Sequence, residues 1–183
     1  MSTAPRGSIL FRYVPGVGRV STIPCCPAPD APTATCATAY STTDQTLAHG
    51  TAAVIAHDTV PFSYGITVTT GANARFTVPA TGVYKIIPSI QYIGVGGNTA
   101  LTIWLKVNGT NVPDSSTYTV VKNAEEGVIT TEYLLAMNAG DYVQIAAVAT
   151  TQDVTVNYIA GGGTDANAYP AAPGIITNMY RIR

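Results

Sequence analysis

The sequence has very little charge: Asp, Glu, Lys and Arg together make up 10% of its 183 residues, against 46% hydrophobic residues. So low a charge density predicts that much of the surface is covered by something other than water. A formal net charge of -1 excludes a bulk attraction to nucleic acid or to an acidic membrane. Acids are missing altogether before Asp30, so the stretch from Met1 to Pro29, with Arg6, Arg12 and Arg19, reads as a small basic arm. Long apolar runs are missing too. Gly, Pro, Thr and Ser interrupt every candidate, so no membrane span is expected. Nor does the start read as a secretory signal, because it lacks a basic opening and Arg12 and Pro15 break the run from Ile9 to Val17.

Groups that carry chemistry are equally sparse. Three cysteines, Cys25, Cys26 and Cys36, make an odd count and no disulfide framework. Reduced thiols are expected, with a bridge from Cys25 or Cys26 to Cys36 as the alternative. His49 and His57 are the only histidines, and their spacing fits no helical metal pair. With Asp58 beside His57, both read as ordinary surface or interface residues. Glu125 and Glu126, in KNAEEG, read as part of a solvated loop rather than as an acid/base pair. The glycine clusters at Gly94 to Gly97 and Gly161 to Gly163 lack the Lys-Ser/Thr of a phosphate loop, and no G-x-S-x-G occurs. Asp114, Asp141, Asp153 and Asp165 are scattered without the alternating ligands of a calcium loop. No enzyme, metal or cofactor is expected.

What is present is a strand texture. From Cys36 onward, short runs rich in Thr, Val, Ile and Tyr alternate with Gly, Asn and Asp, and no stretch keeps a helical period. Candidate strands are 36–41, 51–56, 65–69, 75–78, 83–93, 100–107, 117–121, 127–137, 142–150, 154–159 and 175–182. Roughly ten short strands with regular turns point to a β-sandwich. Asn108-Gly109 suits a two-residue hairpin, and with Thr110 it is also a formal glycosylation sequon, for which the turn reading is preferred. Before Cys36, PGVG and PAPDAP argue against regular pairing, so residues 1–35 read as an extended, irregular arm and residues 36–183 as one domain. Within the arm, Ile9, Leu10, Phe11, Arg12 and Tyr13 form an apolar patch suited either to docking or to an extra edge strand.

Alternation assigns the faces. In FTVPATGVYKIIPSIQY, Tyr84, Ile86, Pro88, Ile90 and Tyr92 form the core face, and Val83, Lys85, Ile87, Ser89, Gln91 and Ile93 a mixed one. In LTIWLKV, Leu101, Ile103, Leu105 and Val107 point inward, leaving Trp104 opposite with Thr102 and Lys106. Strands with apolar residues on both faces suggest an oligomer.

Four blocks of sequence occur in an order that resembles the C1q/tumour-necrosis-factor-like jelly rolls. They are FTVPATGVY at Phe76 to Tyr84, IWLKVNGTNVPDS at Ile103 to Ser115, LLAMNAGDYVQI at Leu134 to Ile145 and YPAAPGIITNMYRI at Tyr169 to Ile182. The resemblance implies an all-β, ten-stranded jelly roll over Cys36 to Arg183 that associates as a compact homotrimer, with the terminal strand central in an inner sheet. It implies a tight turn at Gly82, a core place near the trimer axis for Tyr84 and a turn at Asp141. Phe76, Trp104, Gly140 and Tyr142 complete the signature.

The wording of the blocks is most similar to versions in structural proteins of large DNA viruses and phages. The expectation is a virion component, a cap, minor capsid or fibre-head protein, whose arm docks on other capsid proteins. A penton-like pentamer is the variant assembly. A second reading is an attachment module for a host glycan or receptor, with Tyr158 and Tyr169 in the recognition loop.

Overall fold

Thr, Val, Ile and Tyr suit a pleated, half-buried surface better than a helix, because branching at Cβ and flat rings pack well across neighbouring strands. Accordingly, every extended element among the described residues is a strand. The structure is a computed structural model describing residues 11–14, 18–21, 35–164 and 168–183. Two units divide the chain, Met1–Thr33 and Ala34–Arg183.

In the first unit, β1 (Phe11–Val14) pairs antiparallel with β2 (Gly18–Ser21). This corrects the expectation of an irregular arm. Ile9 and Leu10 lie outside the described residues, while Phe11, Arg12 and Tyr13 fall in β1.

Among its described residues the second unit has fifteen strands, more than the ten expected. The eight-stranded sheet holds β3 (Cys36–Ser41), β4 (Gln45–Leu47), β6 (Thr59–Tyr64), β9 (Gly82–Gly94), β13 (Glu126–Thr130), β14 (Tyr133–Met137), β16 (Val154–Val156) and β17 (Ile175–Arg181). A seven-stranded sheet holds β5 (Ala53–Val54), β7 (Thr67–Thr69), β8 (Arg75–Thr77), β10 (Thr99–Val107), β11 (Thr110–Asn111), β12 (Thr117–Val121) and β15 (Tyr142–Ala149). The chain changes sheet between β4 and β5, β5 and β6, β6 and β7, β8 and β9, β9 and β10, β12 and β13, β14 and β15, and β15 and β16. Such repeated crossing is the topology of a jelly roll.

β9 is the spine. One of its edges pairs with β17 and then β16, the other with β14 and then β13. Its core face is the one alternation assigns: Tyr84, Ile86, Pro88, Ile90 and Tyr92 are buried and the residues between them are half-buried. Facing them, Leu101, Ile103 and Leu105 of β10 and Val143, Ile145 and Ala147 of β15 complete the core. Each large aliphatic side chain buried there contributes about 1.5–3 kcal/mol.

Two prolines explain where the expected strand limits fail. The run 127–137 is one strand by pattern, yet it divides into β13 and β14. Pro88 accepts from Thr131 N at 3.1 Å but has no N–H to return, so the ladder is interrupted there without a change of register. In β6, Pro61 hides a strand from the sequence pattern. It is accommodated on the outermost strand, where the register against β3 shifts between Thr38 and Tyr40.

Where β9 ends, Gly94 N donates to Glu125 O and Gly94 O accepts from Ala124 N, both at 3.0 Å. A Cβ on Gly94 would run into the Lys122 carbonyl oxygen and the Val121 side chain. Gly94→Ala is expected to lower stability by about 1–3 kcal/mol through overpacking. At Gly97 a Cβ meets only Gln152 Cγ at 3.8 Å, and Gly97→Ala is expected to change stability by less than about 0.5 kcal/mol. Urea unfolding of the two variants checks the contrast.

Candidate assembly face

Because β9 is paired on both edges, its second set of side chains lies within a broad outer face of the eight-stranded sheet. Register fixes the rows of that face. Tyr64, Cys36, Tyr180, Lys85 and Leu134 stand side by side across β6, β3, β17, β9 and β14. The next row brings Phe62, Thr38, Asn178 and Ile87 together, and the one after it Tyr40, Ile176, Ser89 and Thr130. Leu134 is 63% exposed, Tyr64 62%, Val128 59% and Phe62 45%, a concentration of apolar surface that a protein facing only water seldom shows. Phe62 and Tyr64 also lie against each other, with ring centroids 6.1 Å apart. A shallow groove of about 300 Å³ runs between Cys36, Phe62, Ile87, Asn178 and Tyr180.

Polar groups on this face are paired with one another. Lys85 Nζ lies 2.6 Å from Glu132 Oε1. That hydrogen bond raises the Lys85 pKa above its ordinary value against the opposing effect of burial, and Tyr180 adds to the rise. Thr38 Oγ1 donates to Asn178 Oδ1 at 2.7 Å, and the Ser89 and Thr130 hydroxyls share a hydrogen bond of 2.8 Å. Mutual pairing lowers the cost of covering these groups. Sequence reading reached Val83 and Ile87 but missed Phe62 and Tyr64, hidden by Pro61, and did not use the alternation of Ile176, Asn178 and Tyr180.

The signature residues lie elsewhere. Phe76 and Tyr84 are buried in the core, as expected, and Tyr84 Oη donates to Ala80 O at 2.7 Å, so Tyr84 points away from the outer face. Gly82 does not adopt a positive φ. A Cβ there would meet the Arg183 carbonyl, so close approach of the C-terminal strand, and not a tight turn, is what calls for glycine. Trp104 is half-buried on the outer side of the other sheet, donating through Nε1 to Asn111 Oδ1 at 2.8 Å. Tyr142 lies under the Arg75 guanidinium, 5.0 Å from its ring centroid. Of the two loop tyrosines, Tyr158 is half-buried with its N–H donating to Asp44 Oδ1 at 2.7 Å, and Tyr169 is exposed.

Of the two histidines, His49 is the surface residue expected and His57 is not. His57 is buried in the core, and exposed His49 is clasped to Asp153, with Nδ1 at 2.7 Å and its backbone N–H at 2.9 Å from Oδ1. Among the described residues, no three His, Cys, Asp or Glu side chains come together in a way that would hold a metal ion.

No protein-family model and no curated protein matches this sequence. Solved structures do match. The Eiger TNF of S. frugiperda superposes with a TM-score of 0.55 at 12% identity, covering 82% of this chain and 94% of that one. The globular domain of zebrafish complement 1qA gives 0.52 at 14%, covering 82% and 98%. Murine APRIL gives 0.51 at 9%, covering 81% and 99%. The fold is a C1q/TNF-like jelly roll.

Within this C1q/TNF-like jelly roll, Asp141 ties two turns at one end of the sandwich. Its Oδ1 accepts from Asn108 Nδ2 and its Oδ2 from Asn138 N, each at 2.7 Å, and Asn108 Oδ1 accepts from Tyr142 N at 3.0 Å. Next to it, Gly140 takes the left-handed conformation at φ 87°. The Asn108 hydrogen bond, and then that of Asn138, hold the Asp141 carboxyl below its ordinary 3.8. A depressed pKa stabilises the fold above the unfolded value and loses that effect as pH falls below it. Asp141→Asn is expected to melt below the wild type at pH 7, with the gap closing at pH 3, as calorimetry at the two pH values checks.

Proposed function

We propose that this chain is a non-enzymatic structural module whose jelly roll associates as a trimer through the outer face of the eight-stranded sheet, and that it serves in a virion, anchored through its N-terminal arm to other capsid proteins. The observation that carries the assembly reading is the face itself. It joins exposed Leu134, Val128, Phe62 and Tyr64 to half-buried Ile87 and Ile176 around polar groups already paired. Apolar centres with aromatic residues and few charges are the composition of stable interfaces. A chain with only 10% charged residues gains from covering such a face with further copies. Support for three copies and for the virion comes from the resemblance of the four sequence blocks, and the low-charge, acid-free arm suits an anchor.

Light scattering on the purified chain is expected to give three times the 19.0 kDa chain mass. Leu134→Glu, at a side chain exposed in the single chain, is expected to weaken association by about 2 kcal/mol or more while leaving the circular dichroism spectrum unchanged. A monomeric or pentameric wild type would overturn the trimer.

The arm is tested separately. A chain lacking residues 1–35 is expected to fold and trimerise but to be missing from purified particles when it replaces the full chain. Normal incorporation of the truncated form, measured by mass spectrometry of the particles, would remove the anchoring role.

A further inference from the structure

Between β5 in one sheet and β6 in the other, the chain crosses the sandwich through four residues, Ile55 to Asp58. Their backbone is held at each step. Ile55 N donates to Ile145 O at 2.9 Å, Ala56 N to Gln45 Oε1 at 2.7 Å and Asp58 N to Tyr40 O at 3.0 Å, while His57 O accepts from Gly71 N at 2.8 Å. The His57 ring is therefore committed to the interior, and it is 1% exposed. It touches both sheets. Nε2 lies 2.8 Å from Thr177 Oγ1 on β17, and the ring meets Phe76 of β8 edge-on with centroids 5.4 Å apart. Nδ1 has no hydrogen-bond partner.

Of the groups around the ring, the Ile55 carbonyl favours a second proton, and burial outweighs it. Phe76, Thr177 and Ile55 are uncharged, and the charge that acts on the ring is that of Asp58. The Asp58 carboxylate is already engaged. Its Oδ2 accepts from Thr42 N at 2.8 Å and its Oδ1 from Thr59 Oγ1 at 2.7 Å. Burial acts to raise the Asp58 pKa, but hydrogen bonds from Thr59, Thr42 and Ser41 outweigh it and keep the group ionised.

We propose that His57 is an acid-operated release in the seam of the sandwich: protonation strands a charge where the chain crosses between sheets and loosens β17, the strand that carries Ile176 and Asn178 onto the outer face. The coupling to the outer face rests on reading that face as an interface, whereas the loosening of the sandwich does not. Thr177, which bonds the ring, stands between those two outward residues, so displacement of one side of the strand is felt on the other.

The direction of the effect follows from burial. Desolvation lowers the His57 pKa from 6.5 to about 4, against the weaker pull of the Ile55 carbonyl and of Asp58. A group depressed in this way supports folding fully above pH 6.5, and that support is lost as pH falls toward 4. The unfolding equilibrium constant then rises about 30-fold between pH 7.5 and pH 5. Asp58, Asp141 and Asp153 all have pKa values lowered from 3.8, so their own protonation falls below this window.

Denaturant unfolding of the full chain at pH 7.5 and pH 5 tests the release. The wild type is expected to show the 30-fold rise, and His57→Gln, which keeps a polar partner for Thr177 but cannot titrate, a rise below about threefold. Equal slopes would overturn the proposal. A second measurement does not depend on that variant folding. In His49→Asn the ring of His57 is the one imidazole left, and its resonances are expected to remain those of the neutral ring down to pH 5. A midpoint near pH 6.5 would overturn it. Light scattering at pH 7.5 and at pH 4, where the native ring takes up its second proton, separates the parts: loss of assembly at pH 4 supports the coupling, and an unchanged trimer refutes it. A monomer at both values counts against the interface reading, while the unfolding slopes still judge the release.

Discussion

Pairing along both edges of β9 leaves its side chains only two directions, into the sandwich or out onto the open face of the sheet. Register is therefore fixed twice over. The core set from Tyr84 to Tyr92 has to meet β10 and β15, and a slip of one residue would bury Lys85 and expose Ile86. β17 and β16 on one side and β14 and β13 on the other can then join only in the registers that keep Met179, Ile175, Met137 and Ile129 inward. Even Pro88 is tolerated in the middle of this strand. The chain beside it is held on either side of the gap by β13 and β14 in one common register.

Much of this was legible because alternation is a local signal. The faces of β9 and β10, the limits of β3 and β12 and the Asn108-Gly109 turn follow from pattern and turn chemistry alone. What stayed hidden depends on partners distant in sequence. β4 is three residues long and exists because Val154–Val156 comes to pair with it. Pro61 lies in a strand only because it falls on the outermost one. His57 reads as a surface residue beside Asp58, and the two face opposite ways: the carboxylate turns to the hydroxyls of Ser41 and Thr42, and the ring turns to Thr177, 120 residues away. The outer face was half legible, since Ile87 announced it and the aromatic residues of β6 did not.

The polar side chains of this jelly roll are used mainly on backbone. Gln45 brackets the Ala56 peptide with Oε1 at 2.7 Å and Nε2 at 3.0 Å, Thr99 Oγ1 accepts from the N–H groups of Thr150 and Thr151, and Ser115 Oγ joins Leu105 N to Val112 O. Asp58 and Asp141 do the same at their turns. A carboxylate saturated by fixed donors is held in its ionised form and is poorly placed to exchange protons with a substrate. These groups secure turns in a fold whose strands are short and whose connections cross from sheet to sheet.

Alternation also means that folding and assembly share the same strands. β17 supplies Ile175, Thr177 and Met179 to the interior and Ile176, Asn178 and Tyr180 to the outer face, and it lies between β9 and β3 with a ladder on each side. A change in how its inner residues sit cannot be confined to the core, because the backbone between two ladders has little freedom to absorb it. Thr177 is the point where the two roles meet. Its hydroxyl is satisfied by a ring that is stable there only while neutral, and its neighbours in sequence stand in the middle of the exposed face. The proton balance of one buried residue thus acts on the geometry of a surface that contains no histidine at all.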